Sequence, residues 1–395
     1  MFDVSLAIRL GHSLISLHYR IDDPRISRYW TEYIVRLNMS VVISRGVYIL
    51  NQVELRKLQM TGGASYTVSL PKNWVKEQGL KVGDVVAVMP RSDSSLTLIP
   101  HEKIPAGKNR GAEVTVSPPK EQDREQILRT ILAQYLAGYD IIRVRFPATA
   151  RPDLRTYLRE AARKMFVGSE IIEESKYELI VQCLSSYGDL PAPKVISRMS
   201  LIAKLMLRDA VDSLKGRDPA LAEEIIRRDE EVDRFYLFII RQLTMAVLNR
   251  SLILEIGLAD PRDCLVYRVV SKSLERIADH ATVIAKMSAS IENPLPPRLV
   301  DEISKASDIT INVLEDALKA LAKSDGTLAN NSIVSAKGVE REAENVMDKL
   351  FSFKLSQKSI VAVRLALESL KRISEYSEDV AEMAINLTAR RTELY

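Results

Sequence analysis

From Pro191 onward apolar residues recur at three- and four-residue spacing, with few glycines and no strand pattern, and that period predicts long amphipathic helices. Ile196, Met199, Ile202, Ala203, Met206, Ala210, Val211 and Leu214 make one stripe; Asp218-Pro219 breaks it, and Leu221, Ile225, Val232, Tyr236 and Ile239 begin the next. A third helix is expected over residues 264–289, before Asn293-Pro294. The pattern then returns over residues 299–321, 333–355 and 360–387. Asp209-Ala210-Val211-Asp212-Ser213-Leu214 and Asp316-Ala317-Leu318-Lys319-Ala320-Leu321 are its clearest matching pieces. Residues 191–395 therefore read as an all-α bundle of two three-helix repeats, 191–293 and 294–395.

Ahead of the bundle the period changes. Ile127, Ile131, Leu132 and Tyr135 predict a helix that Gly138 ends, and residues 140–146 alternate as a strand. A second helix over residues 152–166 and strands over 170–174 and 177–182 complete an α/β segment whose charged helix faces, Arg155 with Arg159 and Glu160 with Lys164, read as solvated exterior. Residues 106–120, with Gly107, Lys108, Arg110, Pro118 and Pro119, read as a linker, so 106–190 is taken as linker plus α/β middle segment.

Residues 51–105 form a small β module. Strands are expected over 55–60, 66–70, 85–89 and 96–99, with Gly62-Gly63 as a turn and a short helix from Pro71 to Gly79. Without disulfide or metal, a unit this small needs a second chain to complete its core, which predicts an intertwined homodimer or higher oligomer. Residues 1–50 read as an N-terminal extension. Asp3, Arg9, His12 and His18 interrupt its apolar residues, so it is neither a membrane span nor a signal peptide. Residues 41–50 could be a strand, and a start near Met39 would make the preceding residues an artefact of gene prediction.

Composition adds limits. The 395 residues carry a formal charge of +4, so any nucleic-acid contact must be local to one face. Between Asn51 and Gly111 nine Lys or Arg face five Asp or Glu, a modest basic excess. Cys183 and Cys264, far apart, read as buried hydrophobes in the reducing cytoplasm. No Walker loop, GxSxG elbow or HExxH is present and the four histidines are scattered, which ranks a metal-dependent hydrolase low and predicts no enzyme activity.

The module residues Arg56-Lys57, Gly62-Gly63-Ala64-Ser65, Val68-Ser69-Leu70-Pro71-Lys72 and Leu80-Lys81-Val82-Gly83-Asp84 resemble the AbrB/SpoVT/MazE swapped-hairpin family of DNA-binding domains. The resemblance implies a two-fold dimer that offers Arg56, Lys57 and Lys72, with Arg91 in a lesser place, to DNA. The alternative is a module that only dimerises the chain.

In the first repeat, Asp229 and Asp233 lie one turn apart in line with Ile226, Leu237 and Ile240, and Glu275 and Asp279 repeat the spacing beside His280. Such a cluster calls for a counter-charge: metal, or ion pairing with Arg228, Arg234, Arg276 and Lys272. The stretches Arg228-Asp229-Glu230-Glu231-Val232-Asp233-Arg234-Phe235-Tyr236, Arg241-Gln242-Leu243 and Leu274-Glu275-Arg276-Ile277-Ala278-Asp279-His280-Ala281 make residues 191–395 resemble the PhoU family, whose paired acidic motifs hold multinuclear metal clusters. The resemblance implies metal ions of the iron or zinc class on Asp229, Asp233, Glu275 and Asp279. In the second repeat Glu340 and Glu344 can stand for the first pair, but Lys371 replaces an acid before Glu375; Glu368, Asp379 and Glu382 lie nearby.

The fold class expected is thus α+β multidomain: an AbrB-like swapped-hairpin barrel, an α/β middle segment and a PhoU-like bundle. The fusion resembles archaeal phosphate uptake regulators. It implies a dimeric DNA-binding regulator of phosphate uptake whose bundle senses phosphate status, with an importer's ATPase subunit as a further partner. The alternative is an adaptor that controls a phosphate importer through protein contacts and never touches DNA.

Overall fold

The structure, a computed structural model, describes residues 56–61, 65–90, 95–101, 112–118, 123–184 and 188–392, together with four earlier strands by their backbone. The chain divides into two compact units, residues 1–107 and 108–395.

In the first unit, β1 (Phe2–Leu10), β2 (Ser13–Ile21), β3 (Val41–Ile43) and β4 (Gly46–Tyr48) form an antiparallel sheet in the order β2-β1-β3-β4. Residues 2–21 were read only as part of an N-terminal extension, with no strand assigned. Phe2, Val4, Leu6, Ile8 and Leu10 nevertheless alternate with Asp3, Ser5, Ala7 and Arg9, the two-residue period of a strand. The run over 41–50 is two short strands, with polar Ser44-Arg45 between them. The β module pairs β5 (Gln59–Thr61) with β6 (Ser65–Thr67) and β7 (Val86–Pro90) with β8 (Leu96–Pro100), around the helix α1 (Lys72–Glu77). Pro71 precedes that helix, and Gly79 follows it at a φ of 73° that favours glycine. Met39, the Gly62-Gly63 turn and Arg91 lie outside the described residues.

The second unit begins with a four-stranded sheet in the order β11-β12-β10-β9. β9 (Glu113–Val116) lies inside the expected linker and pairs in parallel with β10 (Ile141–Arg145). Only four residues long, it has too little sequence to display a period. Helices α2 (Arg124–Ala137) and α3 (Pro152–Met165) precede β11 (Ser169–Glu174) and β12 (Glu178–Cys183). Their inward residues, Ile127, Ile131, Tyr135, Leu158 and Phe166, bury the sheet residues Ile142, Val144, Leu179 and Val181.

The bundle follows the expected repeat. α4 (Ala192–Gly216), α5 (Pro219–Leu248) and α7 (Asp263–Ser288) pack together, with the one-turn α6 (Leu252–Glu255) between α5 and α7. α8 (Pro297–Lys323), α9 (Gly326–Lys349) and α10 (Gln357–Thr392) form the second trio, joined to the first mainly through α7 and α10. Equivalent joints carry equivalent caps. Arg217 and Ser324 end α4 and α8 in the left-handed region, and Asp218 and Asp325 then accept the first free N–H groups of α5 and α9. No helix among the described residues is long and apolar enough to cross a membrane.

Candidate functional site

α5 and α7 pack along their length, which sets Asp229 and Asp233 on one helix beside Glu275 and Asp279 on the other. The charges feel one another. Burial pushes the Asp229 carboxyl up to about 7, and Asp233, Asp279 and Glu275 add repulsion that Lys286 partly offsets. Burial likewise raises Asp233 to about 6, reinforced by Glu275 and Asp279 and opposed by Lys272. Asp279 is raised for the same first reason, with repulsion from Glu275 next in size. Asp233 and Asp279 keep solvent-exposed side chains, so water screens part of this repulsion; half-buried Asp229 is the more strongly held, and its Oδ1 is buried without a hydrogen-bond partner.

Of the cations expected to neutralise this cluster, only Lys272 bonds to a member, Glu275. Arg228 instead bonds to Asp209 and Glu224. Arg276 lies 5.3 Å over the Tyr376 ring, and Arg234 leaves its Nε buried and unpartnered. Lys286, two helical turns beyond Asp279, was missed because its relation to Asp229 crosses between helices. His280 turns from the carboxylates towards the second trio, with its ring 5.8 Å from that of Tyr376 and its imidazole held below its ordinary range by burial.

The donor set of clustered carboxylate oxygens, one of them buried and orphaned, suits a hard or borderline cation in its chemistry. The side chains as placed supply pairs: among the described residues no three His, Cys, Asp or Glu groups converge on one ion position. In the second trio Lys371 Nζ lies 2.9 Å from Glu344 and 3.8 Å from Glu340, so a tethered ammonium already neutralises that pair. Glu368 and Glu375 pair with Arg372, and Asp379 accepts from Ser273 Oγ at 3.4 Å.

The α/β segment docks directly beside this face. A cavity of about 610 Å³ lies between α3 and the α5/α7 pair, with Tyr157, Glu160 and Lys164 on one wall and Asp233, Arg234 and Glu275 on the other. The α3 face expected to be solvated exterior is in part this seam, since Lys164 bonds to Glu230 of α5. The anchor is Arg241, 3% exposed. Its guanidinium donates to the Tyr135 carbonyl at 2.6 Å, the Tyr139 carbonyl at 2.8 Å and Asp140 Oδ1 at 2.7 Å, all around the C-terminus of α2. Gly138 ends that helix at a φ of 99°, where a Cβ would sit 1.9 Å from Met245 Sδ of α5.

In the first unit Arg56, Lys57 and Lys72 are exposed. Cys183 and Cys264 are free, and burial raises both thiols.

Residues 196–288 match the PhoU domain family, a span from within α4 to the end of α7 that includes all four carboxylates. Residues 59–106 match a second family, the antidote-toxin recognition domain of the bacterial antitoxin MazE. A phosphate-specific transport system accessory protein PhoU homolog from Pseudomonas putida is 27% identical over 197 residues, covering 48% of this chain and 74% of that protein. Its namesake from Borreliella burgdorferi is 30% identical over 162 residues, 40% of this chain and 66% of that protein. The crystal structure of PhoU from Pseudomonas aeruginosa, 23% identical, covers 50% of this chain and 96% of its own at a TM-score of 0.45.

Proposed function

We propose that this chain regulates phosphate transport as an adaptor, with its bundle contacting a subunit of a phosphate importer and the acidic face of α5 and α7 setting how strongly. The observation that carries the reading is the match of residues 196–288 to the PhoU domain family, together with relatives named as accessory proteins of phosphate-specific transport. Asp229, Asp233, Glu275 and Asp279 give that face a charge that depends on what neutralises it. A cation of the iron or zinc class held by these carboxylates would supply the neutralisation. Lys272 and Lys286 supply part of it from the chain itself. Regulation requires the two charge states to differ in partner affinity, and a coupling of about 1 to 3 kcal/mol suffices.

Affinity capture of the full chain from phosphate-replete and phosphate-starved cells tests this. The importer's ATPase subunit should be retained, and retention should change between the two conditions and in an Asp229→Asn, Asp233→Asn variant. Capture of no importer subunit in either condition would sink the adaptor reading.

A second reading has its own observation, the MazE-type match over residues 59–106. Met60, Tyr66, Val68, Val88 and Leu96 of that module are more than half exposed, an apolar surface that a second copy of the module would cover in a homodimer. Such a dimer would present Arg56, Lys57 and Lys72 twice to DNA, and the bundle would then bias promoter binding. Salt-dependent binding of DNA that disappears on joint Arg56→Ala and Lys57→Ala substitution supports it. Sizing that finds only monomer removes the dimer on which it depends.

A further inference from the structure

We infer that Arg163 and Arg234 form a binding site for a small tetrahedral oxyanion of the phosphate type, at the seam between the α/β segment and α5. Arg163 stands in the last turn of α3 and Arg234 directly after Asp233; with Gly168, Ser169, Glu170 and Leu184 they line a concavity of about 580 Å³.

Several arginines in this unit end on a carboxylate: Arg143 on Glu113 and Glu178, Arg159 on Glu174, Arg228 on Asp209, Arg241 on Asp140, Arg372 on Glu375. Among the described residues Arg163 and Arg234 have no such partner, and the Nε of Arg234 is shut off from solvent with no acceptor at all. A buried donor left unpaired marks a place where a ligand, ion or water supplies the acceptor. Two planar guanidinium forks lining one concavity match the paired oxygens of phosphate or sulfate. Gly168, at a φ of 70°, brings backbone without a side chain to the rim.

Glu170 decides between these anions. Its carboxylate repels a fully deprotonated guest and accepts the O–H of hydrogen phosphate, whereas sulfate at neutral pH has no proton to give. Arg234 also lines the neighbouring cavity that holds Asp233 and Glu275, so the same guanidinium faces the anion on one side and the acidic face on the other. The choice of phosphate as probe deepens the transport reading above, while the site itself rests on the unpaired guanidinium groups.

Isothermal titration of the full chain with inorganic phosphate and with sulfate, in chelator at fixed ionic strength, tests it. Phosphate should bind with a dissociation constant below about 1 mM and more tightly than sulfate. Arg163→Gln and Arg234→Gln should each weaken it about tenfold or more, whereas Arg155→Gln, on the same helix but donating to the Ser175 carbonyl, should leave it unchanged. Glu170→Gln should keep binding and erase the preference over sulfate. Glycerol phosphate as a third titrant separates a phosphate monoester from the free ion, according to which binds more tightly. Absence of binding by the folded native chain, or binding that survives the arginine substitutions, overturns the site. Should Arg234→Gln fail to fold, the exposed positions Arg163 and Glu170 decide alone. The titration contains no importer, so loss of importer capture with phosphate binding intact removes only the adaptor reading, and the converse removes only this site.

Discussion

Replacing Arg241 by Ala should loosen the α/β segment from the bundle. Three hydrogen bonds of 2.6 to 2.8 Å vanish, and Asp140, whose side chain is 28% exposed, keeps only a 3.3 Å bond from the Ala112 N–H. Removing one partner of a buried ion pair costs roughly 3–5 kcal/mol, and the partial exposure of Asp140 places this case near the lower end, about 3 kcal/mol. For a unit of this size that is a fall of about 6–12 °C in melting temperature. Both tryptophans, Trp30 and Trp74, lie in the first unit, so far-UV circular dichroism under urea is the appropriate readout, with limited proteolysis of the α/β segment beside it. Asp140→Asn alone and the double variant close the thermodynamic cycle, whose coupling should reach about 1–2 kcal/mol. A loss below about 1 kcal/mol, or coupling below about 0.5 kcal/mol, would refute the claim that this arginine holds the two parts together.

Gly138→Ala should destabilise by about 2–4 kcal/mol because it meets both the left-handed backbone and Met245; Met245→Ala in the same chain should recover the steric part in a urea melt, and equal losses in both backgrounds would argue against the contact. In chelator, stability should fall as pH rises. Asp229 titrates near 3.8 unfolded and about 7 folded, so both states are protonated below the first value, the penalty grows between the two and is complete above the second. Asp229→Asn should therefore stabilise by about 1–2 kcal/mol above neutrality, after allowance for solvent screening, and by nothing near pH 4; equal effects at both ends would contradict the assignment. Elemental analysis of protein purified without chelator should find iron- or zinc-class metal that an Asp229→Ala, Asp279→Ala variant lacks, and near-zero metal in both proteins would eliminate the cation.

Periodicity made the bundle legible from sequence because each long helix repeats its apolar stripe many times, and the capping residues Asp218 and Asp325 mark the same joint in both repeats. The carboxylate pairs were legible too, since residues four apart share a helix face. Short elements were harder. The alternation from Phe2 to Leu10 was present but hidden by its charged residues, and β9 offers only Glu113, Val114, Thr115 and Val116. Only the tertiary structure decided who faces whom: that Arg228 turns to Asp209, that Lys371 neutralises the second acidic pair, that Arg241 clamps the end of α2, and that Arg163 and Arg234 line one concavity. Those relations join residues far apart in the chain through packing, and a linear pattern carries information only about neighbours on one element.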